Sequence, residues 1–402
     1  MNLETIEQWA QIKGIKVIGT GDFTHPAWFR EIEEKLFEED CGLLSLRKQY
    51  KLPVPENCIN EVFFILSSEI SCIYQKNGKL RKIHLVLLAP SLKDVLKINH
   101  ALAQIGNIVS DGRPILGIDA KELMKIILDL SSESIIIPAH AWTPHFSIFG
   151  SQSGFDSIEE CFEELTSHIY AIETGLSSDP PMNWRLSNLD RITLVSNSDA
   201  HSPAKIGREA NILDTEISYK GIFKAIKTGE GFIGTVEFFP EEGKYHFDGH
   251  RVCKVRLSPK ETIRRNYLCP VCGKKVTVGV SHRVEILSDR EEGIIPSQAR
   301  TYKSIIPLPE IISEIKNSSL QSKAVHDFYM KAISKLGNEY DILLNIPLKE
   351  IEGFDSVLAE AIDRMRRGEV IVEPGYDGEY GKIKIFGKRK DSSFKGQELL
   401  FR

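Results

Sequence analysis

Residues 135–146 read IIIPAHAWTPHF, an apolar run that leads directly into His140 and His145. A short apolar run bounded by polar residues is typical of a buried strand. Similar runs lie at 16–20, 62–67, 83–88, 170–173 and 192–196. They alternate with amphipathic, helix-like stretches at 2–12, 26–39, 92–105, 120–130, 157–167 and 219–227. The predicted N-terminal caps are Asn2, Ser91, Asp119 and Asp156. This alternation predicts repeated βα units around a parallel sheet, and six strands suggest a barrel that lacks one member.

Ionisable side chains follow or end almost every predicted strand. In a parallel barrel the C-terminal ends of the strands meet on one face, so residues remote in sequence can share a site. Each of them alone is more often a hydrogen-bonded turn residue, but their joint placement predicts a hydrolytic site for several zinc, manganese or iron ions. The candidates are Asp22, His25, Glu69, His84 at the start of its strand, His140, His145, Glu173, Asp199 and His201.

The composition is that of an ordinary globular protein. The chain has 402 residues, 42% hydrophobic and 27% charged, with a formal net charge of -5. Its apolar runs are far shorter than the roughly 20 residues needed to cross a bilayer, and its N-terminus is too polar for a signal peptide. Seven cysteines, an odd number, argue against a disulfide framework. A cytoplasmic location with no membrane partner is therefore expected.

The charge distribution is more informative than the net charge. Residues 251–290 contain ten Lys and Arg against three acidic residues, and residues 382–402 contain seven against two. Either patch alone could be an ordinary solvated face. Two cationic patches in the same half of the chain are more suggestive of a nucleic-acid partner, because phosphate contacts need Lys and Arg.

Three regions are predicted along the chain. Residues 1–240 form the barrel, residues 241–300 a small cysteine-containing module, and residues 301–402 a C-terminal region that contacts DNA. The boundary lies near Pro240, where the strand and helix alternation stops. The C-terminal region should contain helices at 309–317, 322–336 and 356–367, followed by a β-hairpin at 370–386 with Gly-rich turns.

The module carries two short metal-binding knuckles. His250-x-x-Cys253 is followed after fifteen residues by Cys269-x-x-Cys272 and Gly273. Tetrahedral zinc takes four N or S ligands, and a gap of two residues lets each pair hold the same ion. Structural zinc is favoured over free buried thiols. His246 or His282 could replace His250 as the fourth ligand.

The motifs that contain the candidate residues resemble those of a known superfamily. The segments GTGDFTHP, SSEIS, PAHAWTPHFS, AIETG and SNSDAHSP, with the segment around His84, resemble the successive motifs of the polymerase and histidinol phosphatase (PHP) superfamily. Within it the whole chain, including GHRVC and CPVCGKKVTVGVSHRV, resembles the endonuclease Q family. The resemblance implies an α/β fold with a PHP-type distorted (β/α)7 barrel, then the zinc module and an α+β C-terminal region.

The resemblance also implies roles for the candidate residues. Glu69, His84, His140, Glu173, Asp199 and His201 would be metal ligands. Asp22 and His25 are weaker matches, because the usual adjacent Asp-His pair is replaced by Asp-Phe-Thr-His. His145 would be either a ligand or a contact to the phosphate, and the predicted catalytic residues are His145, Asp199 and His201. The implied cofactors are Zn²⁺ in both sites, with Mg²⁺ or Mn²⁺ as alternatives in the barrel.

One departure from the superfamily stands out. Its members open with a strand that bears a His-x-His pair, and this sequence contains no His-x-His. We therefore expect that the barrel lacks its first strand, equivalent to a segment of roughly two dozen residues. Either the start codon is misplaced, or metal binding in this form is defective.

The implied activity is DNA repair. The endonuclease would hydrolyse the phosphodiester on the 5′ side of uracil, hypoxanthine or an abasic site, and selecting the base requires it to leave the stack. Trp142, Tyr376 or Tyr380 could hold such a base. The alternatives are a phosphomonoesterase for a small phosphate ester, and a DNA-binding protein with an inactive metal site.

Overall fold

The computed structural model describes residues 1–387. Its α-helices are α1 (Leu3–Lys13), α2 (Pro26–Lys35), α3 (Leu92–Ile105), α4 (Ala120–Leu130), α5 (Ile158–Phe162), α6 (Pro180–Asn183), α7 (Tyr219–Thr228), α8 (Pro259–Arg264), α9 (Val280–Leu287), α10 (Leu308–Lys316), α11 (Lys323–Leu336), α12 (Leu348–Phe354) and α13 (Ser356–Arg366). None of these helices is long and apolar enough to span a membrane. The basic residues from Lys388 onward lie outside the described range, so the second cationic patch is covered only in part.

The strands of the described range are short except for two. They are β1 (Val17–Gly19), β2 (Leu36–Glu38), β3 (Leu44–Leu46), β4 (Phe63–Lys76), β5 (Lys79–Ala89), β6 (Ile115–Leu116), β7 (Ile135–Pro138), β8 (Ala171–Glu173), β9 (Thr193–Val195), β10 (Ala210–Leu213), β11 (Phe232–Glu237), β12 (Asp248–His250), β13 (Val255–Leu257), β14 (Thr301–Ser304), β15 (Ile371–Glu373) and β16 (Lys382–Lys384). The fold is therefore mixed α/β, as the sequence predicts.

The sheet is less parallel than predicted. Parallel pairing joins β1 to β4, β8 to β9 and β11 to β14. However, β4 pairs antiparallel with β5, and β5 pairs antiparallel with β7, so the prediction of uniform βα units is wrong here. The reason is local: only residues 77–78 separate β4 from β5, and a parallel crossover needs a dozen residues or more.

Strands from separate sheets surround one cavity of about 1320 Å³. Its lining includes residues of β1, β4, β5 and β7 through β11. In the described range, β1 pairs only with β4, and β10 pairs only with β11, so each of these two lining strands has one unpaired edge. The strands β10 and β11 were not predicted, because neither 210–213 nor 232–237 stands out as an apolar run.

Most helices form where the sequence places them, and their caps explain why. Asn2, Ser91 and Asp119 accept hydrogen bonds from the first turns of α1, α3 and α4, as predicted. Ser157 caps α5, so the predicted cap at Asp156 is wrong. The predicted helix 26–39 stops at Lys35, where β2 begins, and the predicted helix 157–167 changes after Phe162 to a 3-10 helix at Glu163–His168.

The C-terminal helices form a second core. Ile311, Ile333, Ile351 and Ile362 are buried together there, and Ile12 of α1 packs in the same cluster. The helices α10, α11 and α13 match the predicted helices to within one residue at each end, and β15 with β16 forms the predicted antiparallel hairpin.

A buried ion pair joins α1 to this C-terminal core. Lys13 Nζ lies 2.5 Å from Glu339 Oε2, and both side chains are 3% exposed. The other donors to Glu339 are the Tyr329 hydroxyl at 2.7 Å and the Leu308 N–H at 3.0 Å. Lys13 also lies 5.8 Å from the ring centroids of Trp9 and Tyr329. Each charge is therefore neutralised by its partner, although both side chains are buried away from water.

Replacing Lys13 by methionine should lower the free energy of unfolding by about 3 kcal/mol, because the Glu339 carboxylate would be left buried without its cation. The measurement is urea denaturation at neutral pH. Arg191→Met is the matched control, since Arg191 pairs with Glu159 at the surface, where the side chains are 55% and 51% exposed. That change should cost less than about 1 kcal/mol. Equal effects of the two substitutions would contradict the prediction.

Candidate metal centre and zinc module

A tight hairpin brings the first two candidate residues together. Asn77 and Gly78 form its two-residue turn with φ values of 53° and 71°, the conformation that a type I′ turn requires. In the resulting register Glu69 is opposite Val86, and Ser71 is opposite His84. Glu69 and His84 are thus diagonal neighbours on one face. Their Oε1 and Nδ1 atoms are 2.7 Å apart. Glu69 lies inside β4 and His84 inside β5, so neither residue sits at a strand end as predicted.

His140 completes a three-residue cluster. It follows β7, which pairs with β5 so that Pro138 is opposite Leu85, and the Ala139 N–H donates to the carbonyl of His84. His140 Nε2 lies 3.3 Å from Glu69 Oε1 and 3.1 Å from His84 Nδ1. One ligand atom from each of Glu69, His84 and His140 lies within 4.8 Å of the others. Two imidazoles and a carboxylate at this spacing could hold a divalent transition-metal ion.

Electrostatics favour the ionised carboxylate at this point. Burial would raise the pKa of Glu69, but hydrogen bonds from His140 and His84 outweigh it and hold the pKa well below its usual range. Burial lowers the pKa of His84, while in His140 the interaction with Glu69 outweighs burial and raises the pKa. The cluster therefore offers an anionic oxygen between two imidazoles, a suitable donor set for a cation.

Glu173 binds the backbone of His140 and so stabilises the position of this cluster residue. It is 4% exposed, and its Oε2 accepts from the His140 N–H at 2.7 Å while its Oε1 accepts from Asn197 Nδ2 at 2.8 Å. Burial raises the pKa of Glu173. In this arrangement Glu173 fixes the backbone of His140, whose φ of 31° is rare for a residue other than glycine. Each Glu173 oxygen thus accepts one hydrogen bond, and a carboxylate oxygen has a second lone pair.

Asp22, Asp199 and His201 line the same cavity but lie outside the three-residue cluster. Burial, then the negative charges of Asp111 and Glu69, raise the pKa of Asp22. The His201 ring Nδ1 lies 3.0 Å from the Asp199 carbonyl, and its side chain is 78% exposed. Asp22 and Asp199 have φ values of 49° and 42°. Strained conformations of this kind concentrate at functional sites, so the cavity mouth is consistent with one.

Two predicted residues belong neither to the cluster nor to the lining of the cavity. His25 directly precedes α2 at the N-cap position, and its Nε2 lies 3.0 Å from the carbonyl of Val109. His145 is exposed on the loop after β7, and its carbonyl accepts from the Thr143 hydroxyl. Neither belongs to a group of potential metal ligands in residues 1–387. The suggested base-binding residue Trp142 is 1% exposed and donates to Asn183, so it is a packing residue.

Sequence reasoning missed three charged groups, of which Arg113 and Glu209 line the cavity. Arg113 Nη1 lies 3.2 Å from Glu69 Oε2. Glu209 lines the cavity with both carboxylate oxygens buried and unpartnered, and burial raises its pKa well above the usual value. Glu237, at the end of β11, is fully buried, and burial raises its pKa to about 8. The sequence gives no clear signal for either glutamate, because GREANIL and GTVEF contain no marked apolar run and no recognisable motif.

The second cluster is formed by the two knuckles. His250 ends β12, and one ligand atom from each of His250, Cys253, Cys269 and Cys272 lies within 4.8 Å of the others. Gly273 has a φ of 70°, and its N–H donates to the Cys269 carbonyl at 2.9 Å. Desolvation opposes ionisation of Cys269, but backbone N–H groups of Cys272 and Val271 lower its pKa to about 6. This favours the thiolate, the form that binds zinc.

The alternative histidines have other partners. His282 Nδ1 lies 2.7 Å from Asp248 Oδ2, and both side chains are fully buried. His246 Nε2 lies 3.0 Å from the Ser281 hydroxyl, and burial lowers its pKa to about 4. The structure therefore brings His250, and neither alternative, to the three cysteines.

Helix α9 attaches this module to the loop that follows His140. Arg283 donates to the carbonyls of Phe149 and Phe155, both at 2.9 Å, and to Asp156 Oδ1 at 2.6 Å. A second ion pair joins Arg185 to Glu285 at 2.6 Å. The knuckles are thus held to the same loop that carries His145.

Sequence comparisons identify relatives for most of the chain. Residues 307–369 match the family described as the MJ0043 C-terminal domain. The protein MJ0043 of Methanocaldococcus jannaschii is 35% identical over 254 residues, which cover 61% of this chain and 31% of MJ0043. The aligned region thus spans about a third of that relative. YqxK of Bacillus subtilis is 29% identical over 382 residues, 92% of this chain and 89% of YqxK. Both relatives are described as uncharacterised proteins.

Two solved structures resemble this chain over nearly its whole length. The lesion-specific endonuclease PfuEndoQ from Pyrococcus furiosus superposes with a TM-score of 0.83 and 29% identity, over 96% of this chain and 90% of that one. The chain is a structural relative of endonuclease Q. An endonuclease Q bound to a 27-mer duplex with an abasic lesion at its active site superposes with a TM-score of 0.80 and 29% identity, over 96% and 92% of the two chains. The likeness to endonuclease Q therefore extends over nearly the whole chain.

Proposed function

We propose that this protein is a DNA-repair endonuclease that hydrolyses the phosphodiester on the 5′ side of a deaminated base or an abasic site. The observation that carries the proposal is the Glu69, His84 and His140 cluster in a chain with the endonuclease Q fold. The strands of 1–240 would form the distorted barrel, and the three predicted regions would be its functional parts. The cytoplasmic location remains a prediction.

The proposed metal site is built on that cluster. Glu69, His84 and His140 would hold one divalent cation, and Asp22, Glu173, Asp199 and His201 are proposed as further ligands around the same cavity. A bound divalent cation supplies Lewis-acid activation of water and of the phosphodiester. Zn²⁺ suits the imidazole-rich donor set, with Mn²⁺ or Mg²⁺ as alternatives for the carboxylate side of the cavity.

The chain's own groups position the substrate and the ligands. Glu173 holds the His140 backbone, and Asn197 in turn holds Glu173, so the cluster geometry is set before substrate binds. The Arg113 side chain is 41% exposed beside Glu69 and can donate to phosphate oxygens. His145, exposed on the loop after β7, is proposed to contact the scissile phosphate.

The second cluster is proposed as a structural zinc site. A closed set of one imidazole and three thiolates leaves no open position for substrate, so the chemistry belongs to the barrel. The cationic surface around the knuckles supports DNA as the partner, because exposed Lys and Arg displace counterions from phosphates.

A substrate comparison tests the proposal. The full chain is incubated with Mn²⁺, Mg²⁺ or Zn²⁺ and with duplexes that carry uracil, hypoxanthine, an abasic site or no lesion, and separately with a phosphomonoester. We expect a single cut on the 5′ side of at least one lesion and no cut in the undamaged duplex. Release of phosphate from the monoester without strand cleavage would favour a phosphomonoesterase. Binding of the lesion duplex without cleavage under all metals would indicate a DNA-binding protein with an inactive site.

A further inference from the structure

Tyr267 lies in an unusual position on the zinc module. Its φ is 63°, and that of the preceding Asn266 is 50°. A bulky residue at positive φ is a genuine outlier, and such strain persists only where the surroundings enforce it. The Tyr267 N–H donates to the Thr262 carbonyl, and its carbonyl accepts from the Val276 N–H, both at 3.0 Å. The backbone at Tyr267 is thus fixed from two sides.

The Tyr267 side chain contacts a buried histidine, His282. Its hydroxyl lies 3.3 Å from His282 Nε2, and the two ring centroids are 5.2 Å apart. His282 is in turn bound to Asp248, which also accepts from the Gly279 N–H at 2.7 Å. His282 and Asp248 are fully buried, whereas Tyr267 remains 38% exposed. A buried pair therefore anchors the tip of an aromatic ring that is open to solvent.

The surroundings of this ring are cationic and apolar. In the sequence next to Tyr267, Leu268 is 42% exposed and Val271 is 70% exposed. Four exposed cations flank the same stretch and make no ion pair within 4.0 Å among the described residues: Arg264, Arg265, Lys274 and Lys275. An exposed aromatic ring among such cations matches how proteins bind unpaired nucleotides: Lys and Arg hold the phosphates, and the ring stacks on a base.

We propose that Tyr267 is a base-stacking platform that binds an unpaired base of DNA lying along the cationic segment 264–275. The inference rests on the proposed function, since it names the contact by which the zinc module would hold a lesion-bearing strand. Anchoring by His282 and Asp248 gives the ring one orientation before DNA arrives, which reduces the entropy lost on binding. The expected occupant is a base unpaired by the lesion, because a stacking surface accepts any base that has left the helix.

The test compares two substitutions in the full, zinc-containing chain. Tyr267→Leu removes the aromatic ring, and Tyr267→Phe keeps the ring but loses the contact to His282. Binding to an abasic duplex with 2-aminopurine opposite or beside the lesion is followed by anisotropy and by 2-aminopurine fluorescence, without added divalent metal. We expect Tyr267→Leu to weaken binding by about 10-fold and to change the 2-aminopurine signal. Tyr267→Phe should bind more nearly like the original protein.

Phe37→Leu is the matched control, because Phe37 is an aromatic residue of β2 that is likewise 38% exposed and lies outside the zinc module. Zinc content is measured for every variant. If Tyr267→Leu loses zinc, the original protein is instead irradiated with a duplex carrying 5-iodouracil beside the lesion, and an adduct at Tyr267 is expected. Unchanged binding and fluorescence in zinc-loaded Tyr267→Leu, equal losses in the Phe37 control, or no adduct at Tyr267 would overturn the inference. Lesion binding without cleavage would contradict the proposed function alone, whereas no lesion binding by the original protein would overturn both.

Discussion

Replacing His140 by alanine is expected to reduce cleavage of a lesion-bearing duplex by at least about 100-fold. The substitution removes one of the three side chains of the barrel cluster, whose ligand atoms lie within 4.8 Å of one another. It leaves the Glu69 and His84 contact of 2.7 Å in place, so the hairpin that holds them should persist. The measurement is single-turnover cleavage of an abasic duplex at saturating enzyme.

His100→Ala is the matched control for this prediction, because His100 is an exposed histidine of α3 remote from both clusters. It should cleave at the rate of the original protein. Metal bound at the barrel site, measured by elemental analysis after removal of free ions, should fall in the His140 variant and not in the control. A His140 variant that retains more than about a tenth of the activity would show that this cluster is not the centre of the chemistry.

Replacing Cys269 by serine should abolish zinc binding in the module and unfold it locally. The module has a very small apolar core, in which the buried residues are Leu257, Cys269 and Val276. Binding of structural zinc contributes roughly 10 kcal/mol or more in small zinc-binding peptides, far more than three buried side chains can supply. Metal binding is therefore expected to be the main source of the module's stability.

The measurement combines zinc stoichiometry with hydrogen exchange. Amides of residues 246–280 should lose protection in the Cys269 variant, whereas those of β7 should keep it. Cys41→Ser is the control, because Cys41 is a free, partly exposed thiol outside both clusters. A Cys269 variant that still binds zinc at the original stoichiometry, with unchanged protection, would rule out the proposed ligand set.

Local signals in the sequence were sufficient for much of the fold. The helices α3 and α4 have the predicted bounds because a capping side chain marks each start and an amphipathic pattern marks each length. The strands β1, β7 and β9 lie within the predicted apolar runs. These features depend on residues close in sequence, and pattern reasoning resolves such residues well.

The sequence patterns do not show which strands pair with each other, or in which direction. An apolar run such as 62–67 predicts a buried strand but does not show whether its neighbour is parallel, so the β4 and β5 hairpin was missed. The site shows the same limit. Glu69, His84 and His140 meet because of the register across three strands, whereas His25, on an equally suggestive motif, is turned to the Val109 carbonyl. Which candidates converge is a tertiary property.

The Asn77 and Gly78 turn has a consequence for how the site assembles during folding. A hairpin closed by two residues has low contact order, and hairpins of this kind form in about 1–10 μs, well before distant segments meet. Glu69 and His84 are therefore expected to become neighbours early. His140 can join them only when β7 docks on β5, some fifty residues later in the chain. Two of the three candidate ligands thus meet through local pairing early in folding. The complete metal centre forms only at the later stage, when segments distant in sequence pair.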